Sequence, residues 1–158
     1  MSDRKLLIEQ GYENRNLLKQ EPYRSAVLET LEDLNNGLIR VAEYVHETND
    51  WLVHQWIQQA ILLYFAVSEI KTIEIGPYEF YDKIPLKKNI KNSGFRIVPT
   101  GTVRYGSFIE PGAVIMPGFV NIGAYVGKYS MVDTWATVGS CAQIGESVHL
   151  AGGVCIGG

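Results

Sequence analysis

Aliphatic residues recur every six positions through the last third of the chain: Val114, Val120, Val126, Val132, Val138, Ile144, Leu150 and Ile156, with Phe108 one step earlier. An amphipathic helix repeats every 3.6 residues and a half-buried strand every two, so neither gives this spacing. A strict six-residue period predicts a hexapeptide-repeat parallel β-helix, each repeat forming one flat side of a coil. These aliphatics are expected to point inward and stack, each burying apolar surface at about 25 cal/mol per Å². The fifth position of each unit, Gly112, Gly118, Ala124, Ser130, Ala136 and Ala142, is small, as an inward corner position requires. Three sides make a triangular coil of 18 residues. Residues flanking each inward aliphatic face outward. Chemistry can be placed there.

The first part of the chain follows other rules. Residues 1–95 read as a mainly helical domain with a connector, and 96–158 as the β-helix, an α+β chain overall. Val27, Leu28, Leu31 and Leu34 form a helical apolar face that Ser25 could cap, with Gly37 past its end. Leu38–Val45 alternates like a strand, His46–Asp50 supplies a turn, and Trp51-Leu52-Val53 could return. A second helix is expected over Gln55–Ser68, broad in its apolar face, with Trp56, Tyr64 and Phe65 read as core. Residues 70–94 show no regular period and are broken by Gly76, Pro77, Pro85 and Gly94. Lys83, Lys87, Lys88 and Lys91 cluster there, either as a solvated connector or as a basic rim near an anionic ligand. Ile97-Val98-Pro99 is expected to open the coil.

Composition narrows the function by exclusion. The chain has 158 residues, 46% hydrophobic, with a net charge of -3 and a pI near 5.6. That balance offers nothing to a nucleic-acid backbone. The longest apolar run, Ala60–Val67, is too short to span a bilayer, and the N-terminus has no signal-peptide core. A cytoplasmic protein without nucleic-acid or membrane partners is expected. Cys141 and Cys155 both lie in the repeats and read as buried or half-buried thiols.

Candidate chemistry lies where the repeat departs from its own rule. The residue after the inward aliphatic is Gly127, Gly139, Gly145 and Gly157 in most coils, but at one corner it is Asp133, followed by Thr134 and Trp135. A carboxylate there serves either as a turn cap bonding its own backbone or as a group presented to a ligand. Arg96 stands where the helical half meets the coil and could fork onto a carboxylate or make an inter-domain salt bridge. His149 precedes Leu150 and so points outward, as a candidate general base or as a packing and inter-subunit contact. His46 and His54 are in the other half, so the repeats cannot supply the three histidines of a coil-to-coil metal site, and no metal is expected.

The segment VNIGAYVGKYSMVDTWATVGSCAQIGESVHLAGG (120–153) resembles the core of the tetrahydrodipicolinate N-succinyltransferase family. MVDTWATVGSCAQIG (131–145) and GFRIVP (94–99) carry the resemblance most specifically, and WLVHQWIQQAILLYF (51–65) with Tyr81-Asp82-Lys83 extends it into the helical half. The resemblance implies a left-handed coil, a cytoplasmic homotrimer, and active sites between neighbouring β-helices. It implies transfer of a succinyl group from succinyl-CoA, a co-substrate and not a permanently bound cofactor, to tetrahydrodipicolinate in lysine and diaminopimelate biosynthesis. Arg96 then matches the family's arginine for an acceptor carboxylate, and Asp133 its aspartate at the acceptor amine, as anchor or as catalytic base. Family members carry further coils beyond Gly158, with much of the CoA surface, so the chain reads as an N-terminal portion with the first coils only. The alternatives are another CoA-dependent hexapeptide acyltransferase using His149 as base, and an inactive, truncated β-helical scaffold.

Overall fold

A computed structural model describes residues 2–158. Helix α1 (Ser2–Glu13), a 3₁₀ turn (Arg15–Lys19) and helix α2 (Glu21–Asn35) come first. Hairpin β1 (Ala42–Val45) and β2 (Asp50–Val53), helix α3 (Gln55–Val67), and hairpin β3 (Lys71–Ile75) and β4 (Tyr78–Asp82) follow. Eleven two-residue strands then build the coil: β5 (Arg96–Ile97), β6 (Thr102–Val103), β7 (Phe108–Ile109), β8 (Val114–Ile115), β9 (Phe119–Val120), β10 (Tyr125–Val126), β11 (Met131–Val132), β12 (Thr137–Val138), β13 (Gln143–Ile144), β14 (His149–Leu150) and β15 (Cys155–Ile156).

The coil has three flat faces, ordered β13-β10-β7, β14-β11-β8-β5 and β15-β12-β9-β6, every pair parallel. Three short parallel strands per turn at hexapeptide spacing form the expected left-handed β-helix. In each strand the second residue is the more buried and the first faces out. Ala124, Ser130, Ala136 and Ala142 are buried at the small corner positions.

The register corrects the sequence reading in one respect. Val114 pairs with Met131 and Ile115 with Val132, so Ile115 points inward and Val114 does not. Phe108 likewise faces out beside the buried Ile109. The inward column therefore runs Val103, Ile109, Ile115, then drops one residue to Val120 before resuming its period of six. The small corner residue is accordingly Ala113, not Gly112. The missing residue belongs to the corner at Pro117-Gly118. Apart from that corner and the one between β5 and β6, each corner carries one residue of positive φ, at Gly106, Gly112, Gly123, Tyr129, Trp135, Cys141, Ser147 and Gly153. The Pro117-Gly118 corner has no residue of positive φ and is one residue shorter. Sequence could not show the slip because both columns, 103-109-115 and 108-114-120, are apolar there.

At Gly127 the glycine after the inward aliphatic finds its reason. A Cβ on Gly127 would lie 2.5 Å from the carbonyl carbon and oxygen of Gly145 in the next coil. Only a hydrogen fits at that approach.

The helical half packs around Ile8, Val27, Leu31, Ile57, Leu63 and Ile84. Helix α2 begins at Glu21, with Pro22 in its first turn, so Ser25 is internal and its hydroxyl donates to Glu21 instead of capping. Gly37 follows the helix at φ 72°, and a Cβ there would meet the ring of Phe108 at 2.7 Å. The strand expected over Leu38–Val45 starts only at Ala42, and α3 ends one residue short of Ser68. Residues 71–82 form the β3–β4 hairpin, which the sequence reading missed: its two-residue turn is Gly76-Pro77, with Gly76 at φ 58°. Both hairpin strands are mostly exposed, so they show no burial alternation.

The clustered lysines divide by role. Lys87 donates to the Asn35 carbonyl at the end of α2, to Asn35 Oδ1 and to the Ser107 carbonyl, joining helix to coil. Burial pushes its pKa down to about 8. Lys83 donates to the Phe65 carbonyl. Lys88 and Lys91 are exposed.

Candidate functional site

Asp133 follows the inward Val132 and turns the edge between the β11 and β12 faces. Its amide donates to the Leu150 carbonyl and its carbonyl accepts from Ala136. The carboxylate faces solvent. Oδ1 accepts the Thr134 amide at 2.7 Å, the turn-cap contact anticipated for an aspartate here. Oδ2 meets His149 Nε2 at 2.9 Å. Against an ionised carboxylate, which only accepts, Nε2 carries the proton and donates. The His149 contact first, and the Thr134 amide second, hold the Asp133 carboxyl below the ordinary aspartate range.

His149 thus has an acid partner that the sequence reading did not find. The offset is sixteen residues. In a coil of eighteen, a residue on β14 lies directly above one on β11, as the Met131–His149 pairing shows. A side chain two residues past Met131 is then within reach. Comparing titratable residues at offsets of 16–18 would have exposed the pair.

Arg96 stands on the same face. Its strand neighbours are Val114, then Met131, then His149, so the four make one outward column. At about 4.8 Å per strand, Arg96 lies about 10 Å along the coil axis from the level of Asp133. Its amide bonds the Ala113 carbonyl, while among the described residues its guanidinium meets no carboxylate. Val114 and Met131 form an apolar floor between the cation and the carboxylate. The chain therefore brings Asp133 and His149 into contact and keeps Arg96 apart on the same wall.

A cleft of about 1000 Å³ borders this edge, between the β3–β4 hairpin and the coil, walled by Tyr78, Phe80, Ile97, Phe119 and Trp135. Trp135 sits at φ 61° and is 75% exposed, a strained and unpacked position for so large a side chain. Arg104 enters the cleft tied to Asp82 at 2.7 Å and to Asn121. Neither the hairpin wall nor Arg104 was anticipated, because the hairpin itself was not.

The remaining candidates lie elsewhere. His54 Nε2 contacts Glu43 at 2.8 Å on the β1–β2 side, and His46 packs edge-on against Tyr44. Tyr64 is buried, and Trp56 and Phe65 are half-buried against the same helical core. Cys141 is half-buried and its thiol pushed up by burial, whereas Cys155 is exposed, contrary to the buried or half-buried expectation. No group of three metal-ligating side chains forms among the described residues, and no helix among them is long and apolar enough to cross a membrane.

The chain is similar to known proteins along its whole length. A family profile described as "Tetrahydrodipicolinate N-succinyltransferase N-terminal" matches residues 3–67. A 2,3,4,5-tetrahydropyridine-2,6-dicarboxylate N-succinyltransferase of Tolumonas auensis is 48% identical across 100% of this chain and 60% of its own length. Its namesake in Legionella pneumophila is also 48% identical over the same shares. That of Buchnera aphidicola is 45% identical over 69% of this chain and 43% of its own. The chain spans about 60% of the length of relatives that match it throughout.

Proposed function

We propose that this chain, which belongs to the tetrahydrodipicolinate N-succinyltransferase family, carries the acceptor side of a succinyl-transfer site. The observation that carries the reading is Asp133: a solvent-facing carboxylate with both oxygens oriented, at the position that Gly127 and Gly139 fill at the corners on either side. The substrates are succinyl-CoA and tetrahydrodipicolinate, in lysine and diaminopimelate biosynthesis. The protein acts as a cytoplasmic homotrimer.

The chemistry suits those residues. Water adds across the ring C=N of the acceptor, opening the ring and freeing an amine. The amine nitrogen attacks the thioester carbonyl carbon, the C–N bond forms and the C–S bond breaks. Asp133, held ionised, is a weak base toward a resting amine. Its value is to orient the N–H bonds and to take a proton once attack has made the nitrogen cationic and acidic. That proton then passes to the departing CoA thiolate. Arg96 offers a two-pronged donor to one of the acceptor's two carboxylates. Its separation from Asp133 along one coil supports a site that draws the two residues from neighbouring subunits.

The test is acceptor-dependent release of CoA from succinyl-CoA by the 158-residue chain. Asp133→Asn is expected to lower turnover about 100-fold or more, and Arg96→Met to raise the acceptor KM with little change in the KM for succinyl-CoA. Turnover that tolerates Asp133→Asn but disappears with His149→Ala would instead favour a site in which histidine is the base. Failure of the unaltered chain both to release CoA and to bind tetrahydrodipicolinate would overturn the reading.

A further inference from the structure

We infer that His149 is the positioning residue for Asp133: it anchors the second carboxylate oxygen from the next coil, so that the lone pairs left free face the acceptor amine. The inference rests on the succinyl-transfer reading and extends it to a residue outside the candidate pair of Arg96 and Asp133.

The geometry is specific. A carboxylate held at one oxygen can still swing about its last side-chain bond. Asp133 is held at both, by the Thr134 amide at 2.7 Å within its own corner and by His149 Nε2 at 2.9 Å from the coil above. The second anchor exists because β14 lies in register on β11, which sets the imidazole beside Met131 and within reach of the corner. The pair is no core contact, since the His149 side chain is 61% exposed and that of Asp133 30%. An ion pair so exposed contributes little to folding, so its consequence lies in the direction and charge state of the carboxylate.

Other charged groups are less well placed to do this. Arg96 is two strands away on β5. Lys128 is engaged by Glu146 at another corner, where Glu110 accepts the Lys128 amide. Arg104 is committed to Asp82 and Asn121 in the cleft. His149 is the group that touches Asp133 and the first cause of its lowered pKa. Its other ring nitrogen, Nδ1, makes no hydrogen bond among the described residues. A glutamine, whose amide N–H can reach the same oxygen, would preserve the anchor but offers no basic nitrogen.

The test uses the full chain labelled with ¹³C at aspartate carboxyls, the Asp133 signal being identified by its loss in Asp133→Asn. His149→Ala is expected to raise the Asp133 titration midpoint by about half a pH unit or more. It should lower kcat about 10-fold while leaving the KM for succinyl-CoA unchanged, and His149→Gln should restore most of the rate. An unmoved midpoint, or an unchanged kcat in His149→Ala, overturns the inference. A kcat lost in His149→Ala and not restored by His149→Gln overturns it too, since the imidazole itself would then be the proton acceptor. Wild-type turnover retained in Asp133→Asn overturns the function assigned to Asp133, not the contact. If the unaltered chain turns nothing over, the midpoint alone decides the contact.

Discussion

The two halves of this molecule bury apolar surface in opposite ways. In the helical half, large side chains from distant segments converge on one cluster, and Leu63 of α3 packs beside Gly11 of α1, where a Cβ would stand only 3.5 Å away. In the coil, mostly β-branched and small residues stack on equivalents 17 or 18 positions away. The first arrangement concentrates stability in a few residues. The second distributes it evenly and leaves each corner free to carry chemistry. Hence a carboxylate could take over the Asp133 corner without disturbing the column beneath, whose Val132 and Val138 remain buried.

Four substitutions would break or sharpen that contrast. The largest effect is expected from Leu63→Ala, at about 3 kcal/mol, because a fully buried leucine leaves a cavity that several elements must collapse to fill. Val126→Ala, equally buried in the coil, should cost about 2 kcal/mol, having less volume to lose. Urea melts of both variants check the order, and a coil variant that proved the more destabilised would contradict it.

The joint between the halves comes next. Lys87→Met leaves the Asn35 and Ser107 acceptors without their donor and should cost about 1–3 kcal/mol. The loss should also vary with pH. The folded-state pKa of Lys87, about 8, lies below the ordinary value of 10.5, so between those limits the unfolded chain holds more protons than the folded one. Stability from this group therefore rises as pH climbs from about 8 to 10.5, and is lost as pH falls back through 8. The difference in stability between wild type and Lys87→Met, measured across that window, isolates the effect from the tyrosines that titrate nearby. A flat difference would show that Lys87 keeps an ordinary pKa.

The smallest effect should have the opposite sign. Trp135 pays for a left-handed backbone with little packing in return. Trp135→Gly is expected to raise stability by about 0.5 kcal/mol or more, visible as a higher Tm, while removing one wall of the cleft. A lower Tm would mean that the indole is bound against something that stabilises it.

How much of the site was legible follows from the same contrast. Asp133 stood out because a strict repeat makes any departure visible, and Arg96 because it marks the change from one pattern to the other. His149 was seen singly, but its partner was not. The β3–β4 hairpin and Arg104 were missed because strands exposed on both faces carry no alternation. The Lys87 joint was missed because two of its three acceptors are backbone carbonyls, which every sequence contains.

The chain's own letters determined the coil, its three-sided turn, its outward corners and the residue types placed there, since a period of six admits one repeating geometry. Tertiary structure alone decided which of two apolar columns faces inward before Val120, where a coil of 17 residues replaces one of 18, and which side chains meet across coils. Those outcomes depend on counting the residues between two corners. At Pro117-Gly118 the count changes by one, and only the stacked backbone shows how neighbouring coils absorb it.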